Sequence, residues 1–341
     1  MLIMKIGSLD LGPMPVFLAP MEDITDPSFR FMCKRFGADM MYTEFISSDG
    51  LIRDGAKSVK KLDIFDEERP MGIQLYGHLI ESMVEATHRA LESDPDLIDI
   101  NFGCPVRKIA NRGAGAGMLA NIPLMMEMTR AIVDASTVPV TVKTRLGWDE
   151  EHKIIVEVAE GLQDQGIDAL TIHGRTRAQM YRGVADWTLI GAVKENPRMK
   201  IPIIGNGDIT TPEGAKDAFD RYGVDGIMIG RGAVGRPWLF GQVKAYLEHG
   251  ELIPEPTVNE KVDIARLHLE KSIEFKGEPV GIYEIRRHLS NYFKGLPHFK
   301  EIRLQLLTTL DVREIESLLE LIREKYGEYR PAPSGGFWEK G

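Results

Sequence analysis

The stretch Val140–His173, VTVKTRLGWDEEHKIIVEVAEGLQDQGIDALTIH, decides how the rest of the chain is read. It opens on a short β-branched run, Val140–Thr144, and closes on another, Ala169–His173. Between them, His152–Gln165 carries apolar residues at helical spacing. Strand, amphipathic helix and strand make one βαβ unit, whose near-continuous apolar strands read as parallel and covered on both faces. The same alternation continues outward. Val16–Ala19, Met40–Phe45, Gly72–Tyr76 and Leu97–Asn101 come before it, and Ile201–Gly205 and Gly226–Ile229 after it. Helical patterns at Glu81–Leu91, Leu124–Ala135 and Gly214–Tyr222 lie between these runs. Eight βα units in about 240 residues fit an α/β fold of the closed (β/α)8 TIM-barrel type better than a doubly wound open sheet.

One signal points elsewhere. Gly230-Arg-Gly-Ala-Val-Gly235 matches the dinucleotide fingerprint, but it follows the last strand of the series and no further βαβ unit comes after it. In a barrel those glycines have another use, because the loops after strands 7 and 8 commonly form a phosphate site.

The composition suits a globular chain with a large core: 341 residues, 43% apolar and 27% charged, with a formal charge of −9. Two cysteines, Cys33 and Cys104, are too few for a disulfide framework. No apolar run approaches the roughly 20 residues of a membrane span, and the N-terminus lacks a secretory pattern. A cytoplasmic protein is expected, with no membrane partner. Past Leu247 the strand-like runs stop. A Pro-rich connector, Gly250–Pro256, leads to helical patterns at Val258–Phe275, Gly281–Phe293 and Val312–Lys325. The expected organisation is a barrel over 1–247, a helical domain over 258–330 and a flexible tail over 331–341.

In a barrel the chemistry sits at the C-terminal strand ends. There the chain places Ala19-Pro20-Met21, Gln74, Asn101-Phe-Gly-Cys104-Pro105, Lys143-Thr-Arg145, His173-Gly-Arg175, Asn206-Gly207-Asp208 and Gly230-Arg231. Gly and Asn can simply turn a chain, but glycines beside polar groups at several ends together suit a bulky phosphorylated ligand. Cys104 stands in a loop suited to reaction, whereas Cys33, on an amphipathic helix, reads as a small buried hydrophobe. Neither has metal-ligand spacing, and no metal is expected. Lys143 lies inside an apolar strand, where a lysine is costly to bury unless it meets an anion. His173 repeats that situation one strand on, and the pair could hydrogen-bond the electron-rich edge of a ring system.

Two basic regions offset the acidic total. The strand-end loops carry Arg107, Lys108, Arg112, Arg145, Arg175, Arg177, Arg182, Arg231 and Arg236. The stretch Arg286–Arg303 holds Arg286, Arg287, Lys294, Lys300 and Arg303, interleaved with His288, Tyr292, Phe293, His298 and Phe299. Cations mixed with stacking rings read as an RNA surface; an amphipathic helix with solvated charges is the plainer alternative.

Together these motifs resemble the tRNA-dihydrouridine synthases, most closely the bacterial B-type enzymes, from Ala19 to about Tyr326. Asn101-Phe-Gly-Cys104-Pro105 carries the likeness most strongly. Ala19–Asp26, Val142–Asp149, His173–Arg177, Asn206–Asp208, Gly230-Arg231 and Ile285-Arg-Arg-His288 support it. The resemblance implies reduction of the C5=C6 bond of selected uridines in tRNA, with tightly bound FMN and with NADPH as hydride donor. It assigns Cys104 as general acid. It assigns Pro20, Met21, Glu22, Gln74, Lys143, His173, Asn206, Gly207, Asp208, Gly230 and Arg231 to FMN. Asn101 is expected to contact uracil, and Arg175, Arg177, Arg286 and Arg287 to contact RNA. Phe102 and Glu22 depart from the usual pattern near the flavin or base. Two rivals stay open: another FMN barrel reductase acting on a small molecule, and a non-catalytic RNA-binding barrel. The motifs set neither the target uridine nor the oligomeric state.

Overall fold

The computed structural model describes residues 3–330. The tail expected to be flexible, 331–341, lies outside the described residues. Eight parallel strands form a ring: β1 (Val16–Leu18), β2 (Met41–Tyr42), β3 (Met71–Tyr76), β4 (Leu97–Asn101), β5 (Val140–Arg145), β6 (Ala169–His173), β7 (Ile203–Asn206) and β8 (Gly226–Ile229). They pair in the order β1-β8-β7-β6-β5-β4-β3-β2. A parallel bridge between Phe17 and Met40 closes the circle. There the Leu18 N–H donates to the Met40 carbonyl (3.0 Å) and the Asp39 N–H to that of Val16 (2.9 Å). The (β/α)8 barrel is therefore present, and Gly230–Gly235 follows the strand that closes it rather than opening a dinucleotide fold.

The period-2 pleat sorts each strand into two faces. On β5, Val140, Val142 and Thr144 alternate with Thr141, Lys143 and Arg145, and register sets Thr141 beside Asp99 and Lys143 beside Asn101 of β4. Toward the N-terminal end the barrel is apolar, filled by Phe17, Tyr42, Leu97, Ala169, Ile204 and Met228. A hairpin of Lys5–Ile6 and Leu9–Asp10 adds Met4, Ile6 and Leu11 to this cluster.

The run Met40–Phe45, expected as one strand, is broken. Met41–Tyr42 pairs the start of β3 and Ile46–Ser47 pairs its end. At the break the Thr43 hydroxyl accepts the Gln74 N–H (3.2 Å), so a side chain replaces a carbonyl in the ladder.

Contacts divide the chain into two compact units. Among the described residues, one comprises the chain up to Thr25, Ala38–Ile209 and Glu213–Gly230; the other comprises Asp26–Gly37, Thr210–Pro212 and 231–330. Composition drew the break near Leu247, whereas packing draws it at Gly230. Trp238, ahead of the helix Leu239–His249, is buried in the helical core and donates to Glu255 (3.0 Å). The helix Pro27–Arg35 also belongs here. Asp26 caps its N-terminus by accepting the Phe29 N–H (2.8 Å), and Pro27 begins its first turn, where no N–H is needed. The helix Val258–Lys276 starts in a capping box between Thr257 and Glu260, a device worth about 1 kcal/mol. It buries Val262, Ala265 and Leu269 against Ile282, Ile285 and Leu289 of Glu278–Tyr292 and Ile315, Leu319 and Ile322 of Val312–Tyr326. The shorter helix Lys300–Thr308 adds Ile302 and Leu306. Among the described residues no helix is long and apolar enough to cross a membrane.

Candidate active site

β4 ends in Asn101, and the chain then turns back on that side chain. The Asn101 Oδ1 accepts the backbone N–H groups of Gly103 and Cys104, both at 2.9 Å. β5 holds the same loop from beside it. The Phe102 N–H donates to the Lys143 carbonyl (2.8 Å), Thr144 Oγ1 donates to Phe102 O (3.2 Å) and Arg145 Nε donates to Gly103 O (2.6 Å). Arg145 fixes the neighbouring loop too, through the carbonyls of Thr176 and Met180. Cys104 is thus a placed residue, 7% exposed. Burial pushes its thiol above the usual cysteine range, against the opposing pull of the Val106 backbone and Arg145, so the sulfur carries its proton at neutral pH. Beneath the loop, Gly117 must be glycine, since a Cβ there would lie 2.3 Å from the Ala110 carbonyl oxygen.

The inner face of the barrel turns polar just below Asn101. Its Nδ2 donates to Gln74 Oε1 (2.8 Å), and Gln74 Nε2 donates to Asp99 Oδ2 (2.6 Å). Thr141 Oγ1 donates to the other Asp99 oxygen (2.5 Å). Gln74, expected at the flavin, is fully buried and bonds to Asn101 and Asp99. Burial raises Asp99 to about 6, against the hydrogen bonds from Thr141 and Gln74 and the charge of Lys143. Lys143 is half-buried, and its Nζ donates to Asn206 Oδ1 (3.1 Å). Burial, reinforced by Arg145, lowers its ammonium to about 8. Asn206 is oriented in turn by donating to the Met228 carbonyl (2.8 Å).

Across β6 and β7 the organising group is Arg175, 2% exposed. It makes a two-pronged bond to Asp208 (2.9 and 2.8 Å) and donates to the carbonyls of Arg182 (3.1 Å) and Gly183 (2.6 Å). His173 Nε2 lies 3.4 Å from Arg175 Nη1. Every guanidinium nitrogen therefore has an acceptor, and Arg175, expected at RNA, is held as an internal clamp. Asp208, with φ +54, points to Arg175 and also accepts the Ala185 N–H (2.7 Å). Gly207 sits at φ +133, where a Cβ would lie 2.6 Å from that of Ala185 and 3.3 Å from the His173 ring.

The other expected residues fall into three settings. Pro20 and Met21 follow β1, half-buried, and Met21 is held in a turn by Thr25 Oγ1 (2.9 Å). Glu22 is exposed and paired with Lys61 (2.6 Å). A Cβ on Gly230 would meet Ala19 and Met21 only at ordinary contact distance, 3.4 and 3.5 Å, and Arg231 begins the short turn Arg231–Ala233 right after it. Arg177 stacks over Trp148, 4.4 Å from the ring centre, and reaches Asn111 (3.2 Å). In the helical unit, Arg286 donates to the Thr308 and Thr309 carbonyls (2.9 and 2.7 Å), capping the helix Lys300–Thr308, and Arg287 is half-buried. A cavity of about 440 Å³ in that unit is lined by Ser290, Lys294, His298, Phe299, Lys300 and Arg303.

Two residues escaped sequence reasoning. Asp99 was legible as a carboxylate inside the apolar run Leu97–Asn101, in phase with Asn101. Tyr76 ends β3 packed edge-on to Phe45 (5.4 Å); its hydroxyl is pushed up by burial, against a hydrogen bond with Ser47 and with a smaller push from Glu22. No local signal set it apart from any strand-end tyrosine.

Residues 17–325 match the family model described as dihydrouridine synthase. The chain is a member of the dihydrouridine synthase family. It is 39% identical over 302 residues to a probable tRNA-dihydrouridine synthase of Rickettsia conorii, covering 88% of this chain and 90% of that one. It is 39% identical over 305 residues to tRNA-dihydrouridine synthase B of Pseudomonas aeruginosa, covering 89% and 91%. Two solved structures share the barrel. One is an old yellow enzyme homologue from Zymomonas mobilis (15% identity, TM-score 0.52, 74% of this chain and 94% of that one). The other is morphinone reductase (12% identity, TM-score 0.52, 71% and 89%). At such identities the likeness is one of fold. The matched region contains both the Asn101–Cys104 loop and the basic stretch Arg286–Arg303.

Proposed function

We propose that this dihydrouridine synthase reduces the C5=C6 bond of selected uridines in tRNA, with FMN at the barrel mouth and NADPH as the hydride source. The donor set fits FMN. Lys143 is a half-buried ammonium whose hydrogen-bond partner, the Asn206 amide, is neutral, so an anionic ring edge would complete it. The absence of a Cβ at Gly207 and Gly230 lets backbone N–H groups approach a phosphate, with Arg231 next in the chain to match its charge. Pro20, Met21 and Glu22 would flank the ligand, and His173 would face it, held by Arg175. Asp208 and Gln74 support these groups from behind. FMN, when bound and reduced by NADPH, supplies the hydride. Asn101 has one amide hydrogen left to donate to a uracil carbonyl. Cys104 delivers the proton that saturates the neighbouring carbon, and its sulfur regains a proton from water. A uridine must leave its stack to reach such a site.

The observation that carries this reading is the Cys104 thiol, fixed by two strands and kept protonated by burial. Incubation with unmodified tRNA, FMN and NADPH should yield dihydrouridine, seen as a two-hydrogen mass gain. Cys104→Ala should bind FMN and tRNA but lose at least about 100-fold in turnover, the usual worth of a positioned acid. Normal dihydrouridine formation by that variant would remove Cys104 from the mechanism. Dihydrouridine formed from free uridine as fast as in tRNA would remove tRNA as the substrate.

A further inference from the structure

We propose that Asp99 is a positioning residue for the Cys104 loop, acting through Gln74 and Asn101. The proposal extends the reading above, since it matters to catalysis only if Cys104 is the acid. Asp99 lies on the inner face of β4, two residues before Asn101, and its carboxylate bonds Gln74 and Thr141, one step removed from the loop that Asn101 holds. An ionised carboxylate can only accept hydrogen bonds. Its Oδ2 therefore fixes which end of the Gln74 amide faces it, namely Nε2 at 2.6 Å. Gln74 Oε1 is then turned to Asn101, where it requires a donor and finds Nδ2 at 2.8 Å. Asn101 is left with Oδ1 toward the loop, where the N–H groups of Gly103 and Cys104 require an acceptor.

Each amide could be reversed in isolation, and oxygen and nitrogen differ little in shape. In this chain, reversing Gln74 sets two acceptors against each other at Asp99 and two donors at Asn101. Reversing Asn101 sets its NH2 against two backbone N–H groups. Only one combination satisfies every group, and the carboxylate at its far end selects it. Thr141 Oγ1 holds the other oxygen (2.5 Å), so Asp99 does not rotate away. A carboxylate inside a barrel is expensive to desolvate, which argues for a task beyond filling space. The hydrogen bonds of the relay run β4 to β3 and back to β4, and its terminus is the backbone of the acid.

The test uses the full chain with Asp99→Leu and Asp99→Asn. Protein without flavin is treated with iodoacetamide and the two cysteines are followed separately by mass, fully buried Cys33 being the internal reference. Asp99→Leu should alkylate at Cys104 about tenfold faster, with Cys33 unchanged, because freeing the amides forfeits hydrogen bonds to a charged group. With FMN bound, its reduction by NADPH should stay within about twofold, while reoxidation by tRNA should slow about 10- to 100-fold, the worth of such a bond. Asp99→Asn retains an oxygen for Gln74 and can donate to Thr141, so it should recover most of both losses.

Wild-type alkylation and reoxidation in Asp99→Leu would overturn the proposal. An equal loss of both flavin half-reactions would do so too, because that is what a general packing defect produces. If Asp99→Leu does not fold, Gln74→Leu breaks the same relay one step along and carries the same expectation for alkylation. Should the wild-type protein leave tRNA unreduced, the functional reading fails while the alkylation result still decides the positioning role.

Discussion

Arg175 makes more hydrogen bonds than any other site residue described above, and its chemistry follows from that count. A guanidinium in two-pronged contact with Asp208 and bonded to two carbonyls cannot be mimicked by lysine, which offers a point charge and a different reach. Arg175→Lys should cost about 3 kcal/mol, toward the lower end for a broken buried pair because Asp208 keeps some water. A urea-denaturation midpoint unchanged from wild type would show the clamp to be dispensable. Lys143 makes a prediction of a different kind. Burial and Arg145 hold its ammonium down to about 8, so it is mostly charged at neutral pH and loses its charge as pH rises through that value. FMN affinity should fall above about pH 8, approaching tenfold per unit, and Lys143→Met should abolish the dependence in a fluorescence titration. Cys104, Lys143 and His173 were legible because each is chemically out of place in its local sequence. The clamp around Arg175 was not legible, because a motif reports a side chain and not the four residues it binds.

Elements were legible in proportion to how much of their pattern is local. β4, β6 and β8 run over the residues that periodicity predicts, since each is buried on both faces. The interruption of Met40–Phe45 was invisible because it depends on a Thr43 hydroxyl meeting a strand distant in sequence. The membership of Pro27–Arg35 in the helical unit was equally hidden. An amphipathic helix announces a buried face, not what it packs on. There, Ser28 donates to Asp26 (2.7 Å) and lies 3.3 Å from His268, which in turn bonds Tyr292 (2.8 Å). Burial, with help from His288 and Lys276 against the pull of Asp26, holds His268 well below the usual imidazole value. Burial alone would raise Asp26, but the Lys276 ammonium leads the charges that outweigh it and hold it below the carboxylate range. The signs follow. Unfolding frees His268 to take a proton at about pH 6.5, so the stability its neutral form contributes is present above that pH and is lost below it. Asp26 adds a second loss only below about pH 4. The urea midpoint of the helical unit should drop between about pH 7 and 5, in the range where an unperturbed imidazole titrates. His268→Gln should flatten that dependence, even if it lowers the midpoint overall; an unchanged slope would mean that His268 is not its source.

At the scale of the whole molecule, a formal charge of −9 taken as one number argues against an RNA substrate, yet net charge governs solubility and only local charge governs docking. The structure reduces the cations available for that task. Arg286 caps a helix through two carbonyls and stacks 5.5 Å from Tyr283, so its loss should show first in stability. Lys294, His298, Lys300 and Arg303 instead stay exposed around the cavity of about 440 Å³, beside the ring of Phe299. If these side chains neutralise tRNA phosphates, each contact releases counterions, and log affinity falls with log salt by about 0.7 to 0.9 per phosphate. Replacing Lys294, Lys300 and Arg303 by Ala should therefore weaken binding at low salt and reduce the slope by about two, three contacts at most being lost. Arg286→Ala should leave the slope within about half a unit of wild type, because a capped carbonyl releases no counterions. Filter binding across a salt series separates the two variants. A triple variant with the wild-type slope would move the RNA surface off this cavity, and a large slope change in Arg286→Ala would mean that its guanidinium leaves the helix end to meet the RNA.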